Sequence, residues 1–200
     1  MQFAVLGWPE DGPTLRLDHR RFAYAGKFVM SNTGKAVALA DGVAPDDLPA
    51  AREAPAPAAG VLAALSFNGD RTEPDALWIR YVTTRRDRRG EGIGARLVAF
   101  LVARARERGY ERVRIAVNNV FAYHALSKAG FGYTGRQTGL SELVLERSID
   151  RGADREGRPV DRGRYREGLD VYAARDLTDH ERAFVAAKRE AGPPPMIDHS

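Results

Sequence analysis

The chain has 200 residues, of which 44% are hydrophobic, and a net charge of +4, a composition that suits one globular domain with appendages. It contains no cysteine, which excludes disulfides, thiolate metal ligands and cysteine nucleophiles. A membrane-spanning helix needs a run of about 18 or more apolar residues, and the sequence has none. Residues 1–8 lack the basic start of a signal peptide. We therefore expect a cytoplasmic protein.

The N-terminal part predicts strands and loops but no amphipathic helix. Leu15, Leu17 and Phe22 predict a strand-like stretch, and two apolar runs around the turn residues 31–35 predict a hairpin over 28–39. Residues 41–59 are rich in alanine, proline and aspartate, which predicts an extended surface loop.

The middle of the chain predicts a strand–loop–helix–strand unit. Residues 60–67 predict a strand, residues 68–70 a turn, and the aromatic and β-branched residues 76–83 a second strand. After a glycine-rich loop, apolar residues recur at helical spacing from Ile93 to Ala105, and Gly109 ends the helix. Alternation over 112–117 predicts the next strand. Such a unit forms a right-handed crossover.

The glycine-rich loop predicts an anion site. Gly90, Gly92 and Gly94 precede the helix, and a helix N-terminus presents unpaired N–H groups and a positive dipole end to a phosphate. A P-loop is excluded because no Lys-Ser or Lys-Thr pair follows the glycines, and the spacing does not fit the dinucleotide fingerprint. A glycine-rich turn without a ligand is the alternative.

Two segments carry a family resemblance. Residues 89–94, Arg-Gly-Glu-Gly-Ile-Gly, fit the pattern Arg/Gln-x-x-Gly-x-Gly/Ala, and residues 118–131 are similar to Asn-x-x-Ala-x-x-x-Tyr-x-Lys-x-Gly-Phe. In this order, the chain resembles the GNAT superfamily of N-acetyltransferases over residues 76–131. The resemblance implies an α/β fold with a mixed, mostly antiparallel central sheet and flanking helices.

The resemblance also implies acetyl-CoA as the acyl-donor cosubstrate, with the loop amides on its pyrophosphate and strand N–H groups on its pantetheine and carbonyl. The residues that it places in contact with acetyl-CoA are Val82, Thr83, Thr84, Arg89, Gly90, Glu91, Gly92, Ile93, Gly94, Ala95, Asn119 and Tyr123.

The catalytic groups depart from the family pattern. The family's usual proton-donating tyrosine aligns with Leu126, so Tyr123, one helical turn earlier, is the candidate general acid, with a packed aromatic as the alternative. His124 is expected in an exposed polar role. Glu73 is the candidate general base, with its neighbour Asp75, although both also suit a solvated loop. The histidines show no ligand spacing, so we expect no metal.

The family normally has two helices between its first two strands, and they help to form the acceptor site. No convincing amphipathic helix precedes Ile93, so the sequence does not predict the family's usual acceptor site.

The predicted domain spans residues 1–149, and residues 150–200 are predicted to form an arginine-rich linker and a C-terminal helix. Residues 150–168 are too polar to order well, whereas Thr178–Glu181 is a capping box that predicts a helix to about Ala191.

These features predict an N-acetyltransferase that moves acetyl, or a longer acyl group, directly from acyl-CoA to the amine of a small molecule, a protein N-terminus or a lysine. One alternative is a catalytically weak acyl-CoA-binding sensor or interaction module. Another is an RNA- or ribosome-associated acetyltransferase, because 27 of the 31 basic residues are arginines, although the modest net charge gives nucleic acid little support. We expect the C-terminal helix to pack either on this domain or on a partner subunit. In the second case the protein would be a homodimer.

Overall fold

The computed structural model describes residues 1–49, 56–149 and 160–197. These ranges contain seven strands and four α-helices in a mixed α/β fold with mostly antiparallel strands, which confirms the predicted class. The chain divides into two compact units, Met1–Tyr110 and Glu111–Ser200, while the predicted boundary at residue 149 stays a prediction. The elements are β1 (Gln2–Gly7), β2 (Gly34–Leu39), β3 (Val61–Gly69), β4 (Ala76–Thr84), α1 (Ile93–Glu107), β5 (Arg112–Val117), α2 (Val120–Lys128), β6 (Gly132–Gln137), β7 (Leu143–Ser148), α3 (Arg162–Ala173) and α4 (Asp179–Ala191).

In the first unit, β1 to β4 pair in sequence order, each antiparallel to the next. Strand β4 contains one extra residue: Ser66 lies opposite Tyr81 and Phe67 opposite Ile79, so Arg80 has no partner on β3. Such a bulge bends a strand and re-aims its side chains.

The two faces of this sheet are covered differently. Helix α1 packs on all four strands, with Phe100 stacked on Phe3 at 5.8 Å between ring centroids. Val37 and Leu39 of β2 belong to a cluster that includes no α1 residue, and alternation along the strand puts Ala36 and Ala38 on the opposite face. The chain between β1 and β2 supplies most of that cluster, namely Leu15, Leu17, Phe22, Ala25 and Phe28.

The predicted strand at Leu15–Phe22 and the predicted hairpin over 28–39 are wrong. These apolar residues are buried, but the chain from Trp8 to Thr33 forms only short 3-10 turns, at Pro9–Asp11 and Ala25–Lys27. Strand β2 already pairs with β1 on one edge and β3 on the other, so residues 28–30 have no free edge to join. Strand β1 was not predicted from the sequence.

The described residues before Ile93 contain no α-helix. Strands β3 and β4 and helix α1 lie where the sequence places them, and Gly109 follows the end of α1 with φ at +85°.

In the second unit, β7 lies between β5 and β6 and is antiparallel to both. Asn119 begins α2, and its side-chain oxygen accepts the N–H of Ala122 at 2.8 Å. The predicted capping box also forms: the Glu181 N–H donates to the Thr178 hydroxyl, and Glu181 accepts the Thr178 N–H. Helix α4 then runs to Ala191 as predicted.

Helix α3 corrects the prediction for residues 150–168, which were expected to be unordered. Tyr165, Leu169 and Tyr172 recur at helical spacing and are at most 1% exposed. They let α3 pack on β6, α2 and α4 of the same unit, and this burial stabilises an otherwise polar helix. The rest of the predicted linker, residues 150–159, lies outside the described residues.

Candidate functional site

The glycine-rich loop connects β4 to α1 and is fixed at its start by main-chain hydrogen bonds. The Arg85 N–H donates to the Leu62 carbonyl at 2.8 Å, and the Arg86 N–H to the Arg21 carbonyl at 2.9 Å. The first bond ties the loop to β3, and the second ties it to the chain that covers the sheet. The loop therefore leaves the sheet in a defined direction.

Glycine is required at each of these three loop positions for a different structural reason. Gly90 and Gly92 have φ of +87° and +75°, a conformation that L-residues with side chains rarely adopt. A Cβ on either would meet no atom within 4 Å, so open space lies over this backbone. Gly94 differs, because its Cβ would lie 2.8 Å from the Thr84 hydroxyl oxygen. It allows the helix to pack closely on β4.

The start of α1 offers main-chain donors to the same open space. The Arg96 N–H donates to the Gly92 carbonyl at 3.0 Å, which makes Gly92 the cap residue. Helix geometry leaves the N–H groups of Ile93, Gly94 and Ala95 without intrahelical acceptors. Together with the positive end of the helix dipole, they suit a phosphate oxygen.

The loop's charged side chains are partly paired. Arg88 forms a bidentate pair with Glu91, both bonds being 2.7 Å, and this pairing lowers the pKa of Glu91. Arg85 pairs with Asp87 at 2.7 Å. Within the described part of the chain, Arg89 forms no salt bridge, so an anion at the glycines would meet its exposed guanidinium without displacing a carboxylate.

The C-terminal end of β4 contains the residues predicted to contact the donor's thioester arm. Val82 and Thr84 face α1, since both lie within 4 Å of a Cβ built on Gly94. Thr83 faces the other way and is 4% exposed. Its hydroxyl has no hydrogen-bond partner among the described residues. A buried hydroxyl without a partner is uncommon and marks a place for a missing polar group.

A cavity of about 210 Å³ lies beside the β4 bulge on the face opposite α1. The sequence does not predict this cavity, because the cavity depends on the bulge and on the irregular chain before β2. The charged Arg80 within an apolar strand was the one signal available. The cavity is lined by Lys27, Met30, Asn32, Thr33, Ser66, Asn68, Arg80 and Tyr81.

In the second unit, Tyr123 is a packing residue, and this geometry does not support its prediction as the general acid. Its side chain is 0% exposed, and its hydroxyl donates to the Tyr165 carbonyl at 3.0 Å. Burial raises its pKa well above the ordinary tyrosine value, which makes it a poorer proton donor. Leu126, at the family's tyrosine position, is also buried.

The neighbouring His124 is hydrogen-bonded to a tyrosine, and the candidate base Glu73 lies apart from the residues expected to hold the thioester. His124 is half-buried, not exposed as expected, with Nδ1 hydrogen-bonded to the Tyr165 hydroxyl at 2.8 Å. Burial and two nearby lysines lower its pKa to about 4. Glu73 lies in the turn before β4, and the nine residues of that strand put about 26 Å between its two ends. A base at Glu73 would not reach a thioester held at Val82–Thr84.

Two structural findings concern metals and membranes. Across residues 1–49, 56–149 and 160–197, no cluster of three or more histidine, aspartate or glutamate side chains is arranged to hold a metal ion. None of the helices in these ranges combines the length and hydropathy that crossing a bilayer requires.

The chain was compared with known proteins at the level of sequence and of structure. No curated protein matches it in sequence. Solved structures that match include an N-acetyltransferase from Staphylococcus aureus Mu50 (18% identity, TM-score 0.44, covering 59% of this chain and 68% of the other). They also include an acetyltransferase from Bacillus subtilis in complex with CoA (13%, 0.44, 59% and 78%) and the PaiA N-acetyltransferase from Thermoplasma acidophilum in complex with coenzyme A (14%, 0.42, 57% and 60%).

The sequence model of the acetyltransferase (GNAT) family matches residues 5–131, which is more than half of the 200 residues. This match includes both segments on which the resemblance rests, the glycine loop and the segment from Asn118 to Phe131. The chain belongs to the GNAT family of acetyltransferases.

Proposed function

We propose that this protein binds acetyl-CoA, or a related acyl-CoA, at the glycine loop and transfers the acyl group directly to an amine. The observation that carries the proposal is the open space over Gly90 and Gly92, faced by the unpaired N–H groups of α1 and by the exposed Arg89. A pyrophosphate needs this combination of close backbone approach, main-chain donors and mobile positive charge.

The donor's arm would extend from this loop along the end of β4. The unpartnered Thr83 hydroxyl fits a polar group of the pantetheine or thioester. Asn119 and Tyr123 belong to the predicted donor contacts as well; the buried Tyr123 gives that part no support, and the exposed Asn119 stays a prediction.

The reaction needs few protein groups. The amine nitrogen attacks the thioester carbonyl carbon, the C–S bond breaks, the amine loses a proton and the leaving thiolate takes one. Main-chain N–H groups stabilise the developing oxyanion. Direct attack suits a chain without cysteine. Because Tyr123 and Leu126 are both buried, we propose that water supplies the proton to the thiolate.

Calorimetric titration with acetyl-CoA and with free CoA tests donor binding. We expect micromolar affinity for both, and a folded protein that binds neither would refute the proposal. Thiol release with a panel of amines then tests transfer.

The variant Tyr123→Phe tests the proton donor separately. We expect it to lower the free energy of unfolding by about 1 kcal/mol, through the lost hydrogen bond to the Tyr165 carbonyl, and to leave acyl transfer within about twofold of the wild type. A fall in rate of about 100-fold or more at full folding would restore Tyr123 as the general acid.

The burial of Tyr123 and Leu126 also favours a second function, a catalytically weak acyl-CoA-binding module. Tight CoA binding without turnover of any amine would support it. The RNA-associated alternative gains little, because three arginines of α3 that were expected in the exposed linker donate to main-chain carbonyls: Arg162 to Glu190, Arg164 to Tyr133 and Arg166 to Arg189.

A further inference from the structure

The cavity beside the β4 bulge is a built feature of the first unit. Ser66 and Asn68 line it from one face of β3, as residues two apart on a strand do. Neighbours on β4 would normally point to opposite faces, yet Arg80 and Tyr81 both line it, because the bulge turns Arg80 to the same side.

The opposite wall is held by a buried lysine. Lys35 is 0% exposed, and its ammonium donates to the Met30 carbonyl at 2.9 Å and to the carbonyl and hydroxyl of Thr33 at 2.7 and 2.6 Å. These three bonds fix residues 30–33, from which three of the lining residues come. The wall is therefore positioned by a side chain that lies outside the cavity lining.

The charge of the cavity is positive. Arg80 and Lys27 line it, and no acidic residue does. The Arg80 Nε donates to the Asn68 side-chain oxygen at 2.6 Å, and its guanidinium lies 5.3 Å from the centre of the Trp78 ring. These contacts orient Arg80 and leave its two terminal nitrogens for another acceptor. In the described residues, neither cation forms a salt bridge with a carboxylate.

Ser66 is a second, independent sign of a ligand. The side chain is 0% exposed and lines the cavity, and its hydroxyl has no hydrogen-bond partner among the described residues. A buried hydroxyl without a hydrogen bond destabilises a protein, so its presence marks a place where another molecule supplies the partner. Ser66 also lies directly opposite Tyr81, beside the bulge.

We infer that this cavity binds the acceptor, and that the acceptor is a small amine which also bears an oxyanion, a carboxylate or a phosphate, held by Arg80 and Lys27. The inference rests on the proposed function, since it assigns a substrate class to the same reaction. The volume of about 210 Å³ fits an amino acid or an amino phosphate.

The same positive charge does not supply the missing base. Tyr81 immediately precedes Val82, where the thioester arm is expected, so an amine anchored by its oxyanion lies near the reacting carbonyl. Arg80 and Lys27 are neutralised by the acceptor's own oxyanion, so they do not replace a base. Water takes the proton of the ammonium group, and the neutral nitrogen then attacks the thioester carbonyl carbon.

Binding of anion probes tests the cavity itself, with or without turnover. ¹⁵N-labelled protein is titrated with acetate, inorganic phosphate and methylammonium, and the side-chain signals of Arg80 and Asn68 are followed by NMR. We expect saturable shifts with acetate or phosphate, none with methylammonium, and affinity about tenfold weaker in Arg80→Gln. Acetate preference indicates a carboxylate acceptor, and phosphate preference indicates a phosphate acceptor.

Arg71→Gln is the matched control, because it removes the same charge from the exposed turn before β4 and does not line the cavity. Equal anion affinity in the wild type and Arg80→Gln, or no saturable shift with either anion, would overturn the inference.

Paired acceptors test the substrate class. Glycine is compared with glycinamide, and phosphoethanolamine with ethanolamine, by thiol release from acetyl-CoA. We expect at least one anionic member to react about tenfold or more faster at low concentration, and the preference to disappear in Arg80→Gln but not in Arg71→Gln. CoA binding without a preference for the anionic acceptors would refute this inference but not the proposed function. Absence of CoA binding would refute the proposed function, and the anion titration alone would then show whether the cavity binds an oxyanion.

Discussion

Replacing Gly92 by alanine separates a ligand-binding role of the glycine loop from a structural one. Gly92 caps the start of α1 with φ at +75°, and Gly109 follows its end with φ at +85°. A Cβ at either position meets no atom within 4 Å. Gly109→Ala is therefore a control with the same backbone strain and the same absence of steric overlap, at the opposite end of the same helix.

The cost to stability should be equal in the two variants. An L-residue in the left-handed region costs about 1–2 kcal/mol, and for a chain of this size each kcal/mol lowers Tm by about 2–4 °C. Both variants should thus melt about 2–8 °C below the wild type. The cost to binding should differ, because the Gly92 methyl enters the space over the α1 N–H groups. Loss of one charge-assisted hydrogen bond there costs about 1.5–3 kcal/mol, a 10- to 150-fold weaker affinity for CoA.

Thermal unfolding and calorimetric titration with CoA measure the two effects in the same samples. The expected pattern is an equal fall in Tm with weakened CoA binding in Gly92→Ala only. If Gly92→Ala binds CoA as tightly as Gly109→Ala, the loop is a structural turn and the reasoning on the anion site is refuted.

Three further predictions concern packing, titration and the cavity. Gly168→Ala should destabilise the protein by about 1–3 kcal/mol in urea unfolding, although alanine normally favours a helix, because its Cβ would lie 2.5 Å from Cζ of the buried Tyr123; increased stability would contradict this packing. Burial lowers the pKa of Lys35 from 10.5 to about 8, so between these values the unfolded chain binds more protons than the folded one and the free energy of unfolding should rise with pH; Lys35→Met should remove that rise, and an unchanged slope would exclude Lys35 as its source. Ser66→Ala should keep or raise the free energy of unfolding while weakening acetate or phosphate binding, and a loss of stability with unchanged anion binding would give the hydroxyl a structural role.

The sequence by itself determined the elements whose signals are local. The apolar runs, alternation and helical spacing over residues 60–117 predicted β3, β4, α1 and β5, because these signals lie within each element. The capping box at Thr178 predicted the start of α4, because capping satisfies N–H groups within a few residues along the chain. The glycine pattern likewise predicted an anion site, because a positive φ and a helix start depend on adjacent residues.

Only the tertiary structure decided what depends on residues far apart in the chain. The run from Leu15 to Phe28 looks like strands, yet it covers the sheet as irregular chain because β1 and β3 occupy both edges of β2. Helix α3 looks too polar to fold, yet four of its residues are buried among partners that the local sequence does not reveal.

The surroundings of the catalytic candidate Tyr123 also depend on residues far apart in the chain. Tyr123 has the spacing of a proton donor, but Tyr165 and Tyr172, about 40 to 50 residues later, enclose its ring at 5.5 and 5.6 Å between centroids. The positive cavity arises from one extra residue in β4, from a lysine that fixes the facing wall and from a serine left without a partner. Local sequence sets where a helix or a turn begins, but which side chains share a cavity depends on strand register and long-range packing.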